Sequence, residues 1–351
     1  MKLKSRPSEG EVRFKGLWKE GTARYYTHED LLMNLFEKAH VLSEKSIVAA
    51  ISEKDLDDII VWPLEELPSL FAAADRVRRR FFGTTVNPCT LMNVKSGGCS
   101  EDCSFCSQSS RHATGIKITE LASAEEIRQR AQTAAHDSLP FCVVSSGRRL
   151  NNGDVRKIAD AIAPCTCEKH ASLGILDDED FRMLRQAGVV CYNHNLETSR
   201  SFFPSIVTTH TYDERVATVR KAKSAGLKVC CGGIFGLGES WVQRKEMCLE
   251  LRALDIDTVP INFLNAIPGT RVKPPRESPL EFLKIVSLFR LALPSKTIKV
   301  CGGREANLGD LQGLMFYAGA NGYVTGGYLT TPGAGLAHDD SMIEKLGFSR
   351  R

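Results

Sequence analysis

No apolar stretch in the 351 residues approaches the length of a bilayer span, which excludes a helical integral membrane protein. The amino-terminal run MKLKSRPSEGEVRFKG contains nothing that would serve as an apolar secretion signal, so a cytoplasmic location is expected. Charge of one sign is scarce as well. Lys and Arg total 46 against 42 Asp and Glu, and the formal net charge of +4 with no long basic run argues neither for nor against nucleic acid; no nucleic-acid or membrane partner is expected. No low-complexity linker divides the chain. Apolar residues make up 42% of it, enough for one large core. Cysteine is the exception to this restraint. Twelve are present in a chain with no mark of secretion, so disulfides are not the natural reading and metal or redox chemistry is.

The chain organisation changes near residue 89. Residues 1–88 read as a polar helical extension, with Thr27 to Asp30 (THED) as a candidate cap and RVRRR as a solvated face of a second helix. From Thr90 onward, short β-branched runs alternate with amphipathic helices. The predicted strands are LMNVK, FCVVSS, a stretch around CTCEKHASL, VVCYNHNL, LKVCCGGIFG, TVPINFL, TIKVCGG and GYVTGG. Helices are predicted to start near Ser123, Gly153, Asp177, Tyr212, Glu239, Pro279 and Asn307. Eight such units over roughly 240 residues predict an α/β fold, a (β/α)8 barrel over residues 89–332. Residues 333–351, part of a Gly- and Asp-rich tail, are expected at the surface. Functional side chains of such a barrel belong at the carboxyl ends of its strands.

Cys99, Cys103 and Cys106 stand as C-x3-C-x2-C directly after the first predicted strand, with Gly97 and Gly98 allowing a tight turn. Three thiolates on one short loop hold three corners of a cubane iron-sulfur cluster and leave one iron open. A structural zinc would need a fourth ligand, for which His112 is the near candidate. With Phe105 before its last cysteine, the triplet resembles the motif of radical S-adenosylmethionine enzymes. The resemblance implies a [4Fe-4S] cluster whose open iron binds S-adenosylmethionine and reduces it to a 5′-deoxyadenosyl radical.

Further runs, in order, are similar to the biotin synthase family: GGCSEDCSFCSQSS, CYNHNLETS, TYDERV, KVCCGGIFGLGE, VPINFL and GGREANLGDLQGLMFYAGAN. That resemblance implies a sulfurtransferase that inserts sulfur into dethiobiotin, taking the sulfur from an auxiliary iron-sulfur cluster, [2Fe-2S] or a variant such as a [4Fe-4S] type. It also implies a flavodoxin- or ferredoxin-like electron donor and a homodimer. In CYNHNLETS, strand periodicity puts Asn193, Asn195 and Glu197 on one face. Polar groups pointing into a barrel are costly unless they bind something or each other. The resemblance assigns Asn195 and Asn262 to the substrate. It assigns Glu197, where the family usually carries Asp, to the cofactor ribose, with Arg215, Asn193, Gly232, Ile234 and Gly236 also on the cofactor. An exposed helical arginine is the bland alternative for Arg215.

The auxiliary cluster is where this chain departs from the family pattern. Cys142, Cys230 and Arg304 are matched to its usual ligands, Cys230 and Arg304 also being the catalytic candidates, but the third cysteine position falls on His170. Three readings stay open. His170 ligates iron itself; Cys165, Cys167 or Cys301 supply other ligands; or the cluster is absent and the thiols are core hydrophobes. Cys89 and Cys248 read as structural. Pro140 stands where an arginine for the substrate carboxylate is usual, and Arg148 and Arg149 are the candidates to compensate. The competing functions are a related radical enzyme without sulfur insertion, such as a methylornithine synthase or a hydrogenase maturase, and a non-catalytic metal protein.

Overall fold

The computed structural model describes residues 28–351, with side chains from residue 35 onward. Of the expected Thr27 to Asp30 cap, Thr27 lies outside the described residues and the rest begins the first helix. Three helices precede the sheet: α1 (His28–Val48), α2 (Glu53–Ile60) and α3 (Leu67–Phe82). The alternation that follows is β1 (Thr85–Lys95), α4 (Ala124–His136), β2 (Phe141–Ser145), α5 (Asn152–Ile162), β3 (Lys169–Ser172), α6 (Asp178–Gln186) and β4 (Val189–Asn193). It continues with α7 (Tyr212–Ser224), β5 (Lys228–Cys230), β6 (Gly233–Phe235), α8 (Trp241–Ala253), β7 (Thr258–Phe263), α9 (Pro279–Ala292) and β8 (Thr297–Val300). Two short helices, α10 (Arg304–Leu308) and α11 (Leu314–Tyr317), lead to β9 (Gly322–Val324), then α12 (Leu336–Lys345) and β10 (Ser349–Arg350).

Each predicted strand overlaps an observed one, with LMNVK the carboxyl end of the longer β1, and each predicted helix start lies within three residues of the start of an observed helix. The local cause is repeated. Ser123, Asp177, Thr211, Ser240 and Ser278 each accept a bond from the third helical N–H, whose own side chain bonds back to the cap. This reciprocal capping stops the chain after a loop and starts the helix that returns it across the barrel. All ladders are parallel, and β9 pairs with β1 (Asn87 with Gly322), which closes the sheet. The fifth stave is split: β5 pairs with β4 and β7, then β6 pairs with β7 alone. The result is the expected (β/α)8 barrel.

The flanking segments are more integrated than their composition suggests. Helix α9 is buried from Phe282 through Ala292 because α3 covers its outer side. Lys284 donates to Ile60 O at 2.9 Å and to Trp62 O at 2.7 Å, tying α9 to the extension. Within RVRRR, Arg78 is fully buried against the expectation of a solvated face; it binds Asp75 and Gly83 O and lies 4.6 Å over the Phe348 ring. The tail is likewise not a mere surface segment. It forms α12 and then β10, which pairs with the start of β1. Among the described residues, no helix is long and apolar enough to cross a membrane.

Candidate active site

The cysteine loop follows β1. Gly97 and Gly98 adopt φ of 70° and 63°, the left-handed region that glycine enters without strain. Gln108 Oε1 accepts from Gly97 N at 3.1 Å, and Cys99 N donates to Gln108 O at 3.0 Å, so the loop folds back on itself. Asp102 anchors it to the segment after β4, accepting from Thr208 N at 2.9 Å and from Thr209 Oγ1 at 3.1 Å. Burial opposes ionisation of Asp102, but these bonds outweigh it and hold its carboxyl well below the usual range. Cys99, Cys103, Cys106 and Phe105 all line a cavity of about 380 Å3 at the carboxyl ends of the strands. Burial pushes the Cys103 thiol up to about 12 and the Cys106 thiol up to about 11, so an electropositive centre is needed to make them thiolates. His112 engages Cys106 O through Nδ1 at 2.8 Å and is not among the cavity-lining residues. Among the described residues, no three Cys, His, Asp or Glu side chains converge on one ion.

Beside the triplet, a chain of polar groups runs along the wall. Arg215 on α7 donates from Nε to His210 Nε2 at 2.9 Å and from Nη1 to Asn195 O at 2.8 Å, with Glu197 Oε1 at 3.4 Å. Because His210 Nε2 accepts, its proton sits on Nδ1, which bonds Glu101. Burial and the Arg215 charge keep His210 below its ordinary pKa despite Glu101. Glu197 has a φ of 70°, rare for a side chain with a Cβ, and its buried carboxyl is raised by desolvation against the pull of Arg215. Asn195, Glu197, His210, Glu101 and Arg215 all face the cavity, so Arg215 is not an exposed helical arginine. Glu101, His210 and His194, which also lines the cavity and whose buried Nε2 has no partner, had no motif to mark them.

The glycines after β5 stand where the chain packs too closely for a side chain. A Cβ on Gly232 would lie 2.0 Å from Pro260 O, and one on Gly233 would lie 2.3 Å from Glu197 O. At Gly236, with φ of 93°, a Cβ would meet Pro275 at 2.8 Å. Gly232 and Gly233 let backbone approach backbone where the fifth stave splits, Gly236 meets side chains beyond it, and only Ile234 of the group lines the cavity. Asn195 Oδ1 accepts from Gly232 N at 3.2 Å and so spans the split. Asn262 joins the staves on the other side, donating to Gly233 O at 3.1 Å and accepting from Gly302 N at 3.0 Å. Both amides face the cavity. Pro140 precedes β2, at the opposite end from the loops, and is not among the cavity-lining residues. Arg148 reaches the cavity rim while bonding Thr209 O at 3.0 Å, whereas Arg149 turns to Asp177 and Asp180.

Deeper in the barrel, thiols replace the branched aliphatics usual there. Cys89, Cys142, Cys230 and Cys301 line the cavity with Lys299, and Cys191 is buried close by. Asn193 belongs here rather than with the cofactor-side residues: its Nδ2 donates to Cys142 Sγ at 3.2 Å. Lys299 is the cation among the thiols. Burial disfavours its charge, yet Cys89, Cys230, Cys301 and Cys191 hold its pKa above the ordinary value. Burial would raise Cys89, but the Lys299 charge and a hydrogen bond with His170 bring it down to about 7. Burial lifts Cys142 well above the normal thiol range and Cys230 to about 12. His170 also contacts Glu168 Oε1 at 2.8 Å through Nε2.

Two expectations for this region need correction. Arg304 is not among the residues that line the cavity with the thiols. It is fully buried, with Nη2 bonding Asp339 Oδ1 at 2.7 Å and Glu305 Oε1 at 3.1 Å, while its Nε and Nη1 have no partner. The tail acid Asp339 captures it, and no motif in the tail announced that. Cys165 and Cys167 sit before β3 at the amino end, away from the cavity, with Cys165 Sγ on Ala161 O at 3.7 Å. Lys299 was overlooked, and Cys89, read as structural, lines the cavity. The available signal was period two: Lys299 precedes Cys301, and Cys89 precedes Leu91, by one alternation on an inward face.

Comparison with known proteins agrees with this arrangement. Residues 93–251 match the radical SAM superfamily, and residues 260–349 match the Biotin and Thiamin Synthesis associated domain. A biotin synthase of Geobacter sulfurreducens is 47% identical over 318 residues, covering 88% of this chain and 97% of its own length. One from Geobacter metallireducens is 50% identical over 290 residues, covering 79% and 87% respectively. Among solved structures, a methylornithine synthase superposes with TM-score 0.78 at 21% identity, covering 88% of this chain and 97% of its own. A maturase of the [FeFe]-hydrogenase gives 0.74 at 15%, covering 91% and 77%. At such identities the two structures speak for the barrel alone. The near-full-length sequence relatives, together with a cysteine triplet opening onto a thiol-lined barrel interior, place this chain in the biotin synthase family of radical S-adenosylmethionine enzymes.

Proposed function

We propose that the two ends of the cavity divide the labour of a biotin synthase, the outer end generating the radical and the inner end holding the sulfur donor. The enzyme inserts sulfur into dethiobiotin to form biotin, and its cofactors are a [4Fe-4S] cluster, S-adenosylmethionine and an auxiliary iron-sulfur cluster. Bound there, these groups supply a 5′-deoxyadenosyl radical at one end and sulfur at the other.

The residues of the chain then have separable tasks. Cys99, Cys103 and Cys106 hold the cubane. Glu197 holds the ribose hydroxyls, and Arg215, steered by His210, meets the methionine carboxylate as a charge-assisted donor. Asn195 and Asn262 orient the ureido group, Asn195 with its Oδ1 and Asn262 with both amide atoms fixed by backbone. Arg148 at the rim takes the substrate carboxylate. Cys142, Cys230 and Lys299 belong to the auxiliary site. Closed walls keep water and stray hydrogen donors from the radical. A flavodoxin- or ferredoxin-type donor supplies the electron, and the chain works as a homodimer; both follow from the family.

The single observation behind this division is the cavity itself, which has the cysteine triplet at one end and Cys142, Cys230 and Lys299 at the other. The test is anaerobic reconstitution followed by incubation with dethiobiotin, S-adenosylmethionine and reductant, with biotin and 5′-deoxyadenosine both measured. Biotin formation abolished by Cys142→Ala, with deoxyadenosine retained, supports the division. Biotin formation undiminished in Cys142→Ala refutes it.

A further inference from the structure

The family's third thiol position is occupied by His170, yet the inner end of the cavity is not short of sulfur. We propose that Cys89 on β1 is an iron ligand of the auxiliary cluster, joining Cys142 and Cys230, and that His170 positions Cys89 instead of ligating iron. This rests on the auxiliary-site reading above and specifies its ligands.

Four observations converge. Cys89, Cys142 and Cys230 open into the same cavity from three different staves, as the corners of a cluster require. Leu91 is the register partner of Cys142, and Cys89 lies one alternation deeper on the same inward face. On β3, His170 is the register partner of both Cys142 and Cys191, so its ring occupies the vacated position. That ring is fixed by Glu168 Oε1 at 2.8 Å and lies beside the Cys89 thiol. A histidine fixed by a carboxylate and lying beside a ligand sulfur has the arrangement of an outer-sphere residue, which orients the ligand and tunes the metal.

The other thiols fit less well. Cys301 follows Lys299 by one alternation, a layer nearer the mouth, and lines a second space of about 250 Å3 with Tyr328. Cys191 is not among the cavity-lining residues, and Cys165 and Cys167 are at the wrong end of β3. Lys299 lies among the thiols and offsets the negative charge that three thiolates bring into a closed barrel.

The test uses the full chain carrying Cys99→Ala, Cys103→Ala and Cys106→Ala, so that any cluster iron belongs to the auxiliary site. After anaerobic reconstitution with iron and sulfide, iron is counted following gel filtration against a chelator. Adding Cys89→Ser should remove most of the retained iron, while Cys248→Ser, a buried thiol on α8, should not. Adding His170→Ala should retain iron but shift the cluster's reduction potential, with no directly coordinated imidazole nitrogen in the parent by pulsed electron paramagnetic resonance. Should Cys89→Ser not fold, mass-mapped alkylation of the parent gives the answer: Cys89, Cys142 and Cys230 should react before reconstitution and be protected after it. Full iron in Cys89→Ser, unprotected Cys89, or an imidazole coupling that vanishes in His170→Ala each overturns the assignment. A parent that takes up no iron overturns the auxiliary-site reading itself, a result distinct from the failure of Cys89 alone.

Discussion

Arg304 and Asp339 form a buried ion pair, Nη2 to Oδ1 at 2.7 Å with each side chain no more than 1% exposed, and it fastens the carboxyl-terminal helix α12 to the barrel at α10. Thr325 Oγ1 donates to the other carboxylate oxygen at 2.7 Å, so Asp339 is satisfied only while both partners remain. Removing one member of such a pair strands a charge, at a cost of about 3–5 kcal/mol. Arg304→Met should therefore lower the urea midpoint by an amount corresponding to about 3 kcal/mol while leaving auxiliary iron unchanged. Unaltered stability with lost iron would instead return Arg304 to the cluster.

Arg215 is held by His210 and Asn195 O as well as facing Glu197, a geometry a lysine does not reproduce. Arg215→Lys should weaken S-adenosylmethionine binding to the reconstituted enzyme by about tenfold to a hundredfold, from about 1.5–3 kcal/mol for a charge-assisted bond. Equilibrium dialysis reads this directly. An unchanged affinity would remove Arg215 from the cofactor site.

Gly232 has no room for a methyl group, since a Cβ would sit 2.0 Å from the carbonyl oxygen of Pro260. Gly232→Ala should force β5 and β7 apart and cost about 1–3 kcal/mol or more, as overpacking does. Thermal unfolding of the apo-protein checks it, independently of any cofactor. Stability equal to the parent would show that the split stave can shift.

Lys284 provides a pH-dependent term outside the site. Burial, assisted by Arg244 and opposed by Glu281, pushes its ammonium down to about 8 from 10.5. Between those values the unfolded chain holds the proton and the native chain does not, so this group makes stability rise with pH through that window and contributes no slope below it. Subtracting the urea midpoints of Lys284→Met from those of the parent across pH 7 to about 10.5 should isolate that rise. A flat difference would refute it.

The sequence by itself determined the barrel and the radical-generating loop, because both are local. Capping pairs such as Thr211 with Glu214 lie three residues apart, strand alternation has a period of two, and the triplet closes within eight residues from Cys99 to Cys106. Tertiary structure decided the partners of the buried charges and thiols. Arg304 and Lys299 are five residues apart on one connection, and both are buried cations. Only the returning tail, with Asp339 at its helix, shows which one faces the thiols. Cys89 and His170 are separated by one strand and two helices, and they are neighbours only because parallel staves bring β1 and β3 around the same axis. Local patterns dictate which face a side chain takes, but what it meets across a closed barrel depends on the register of every strand between.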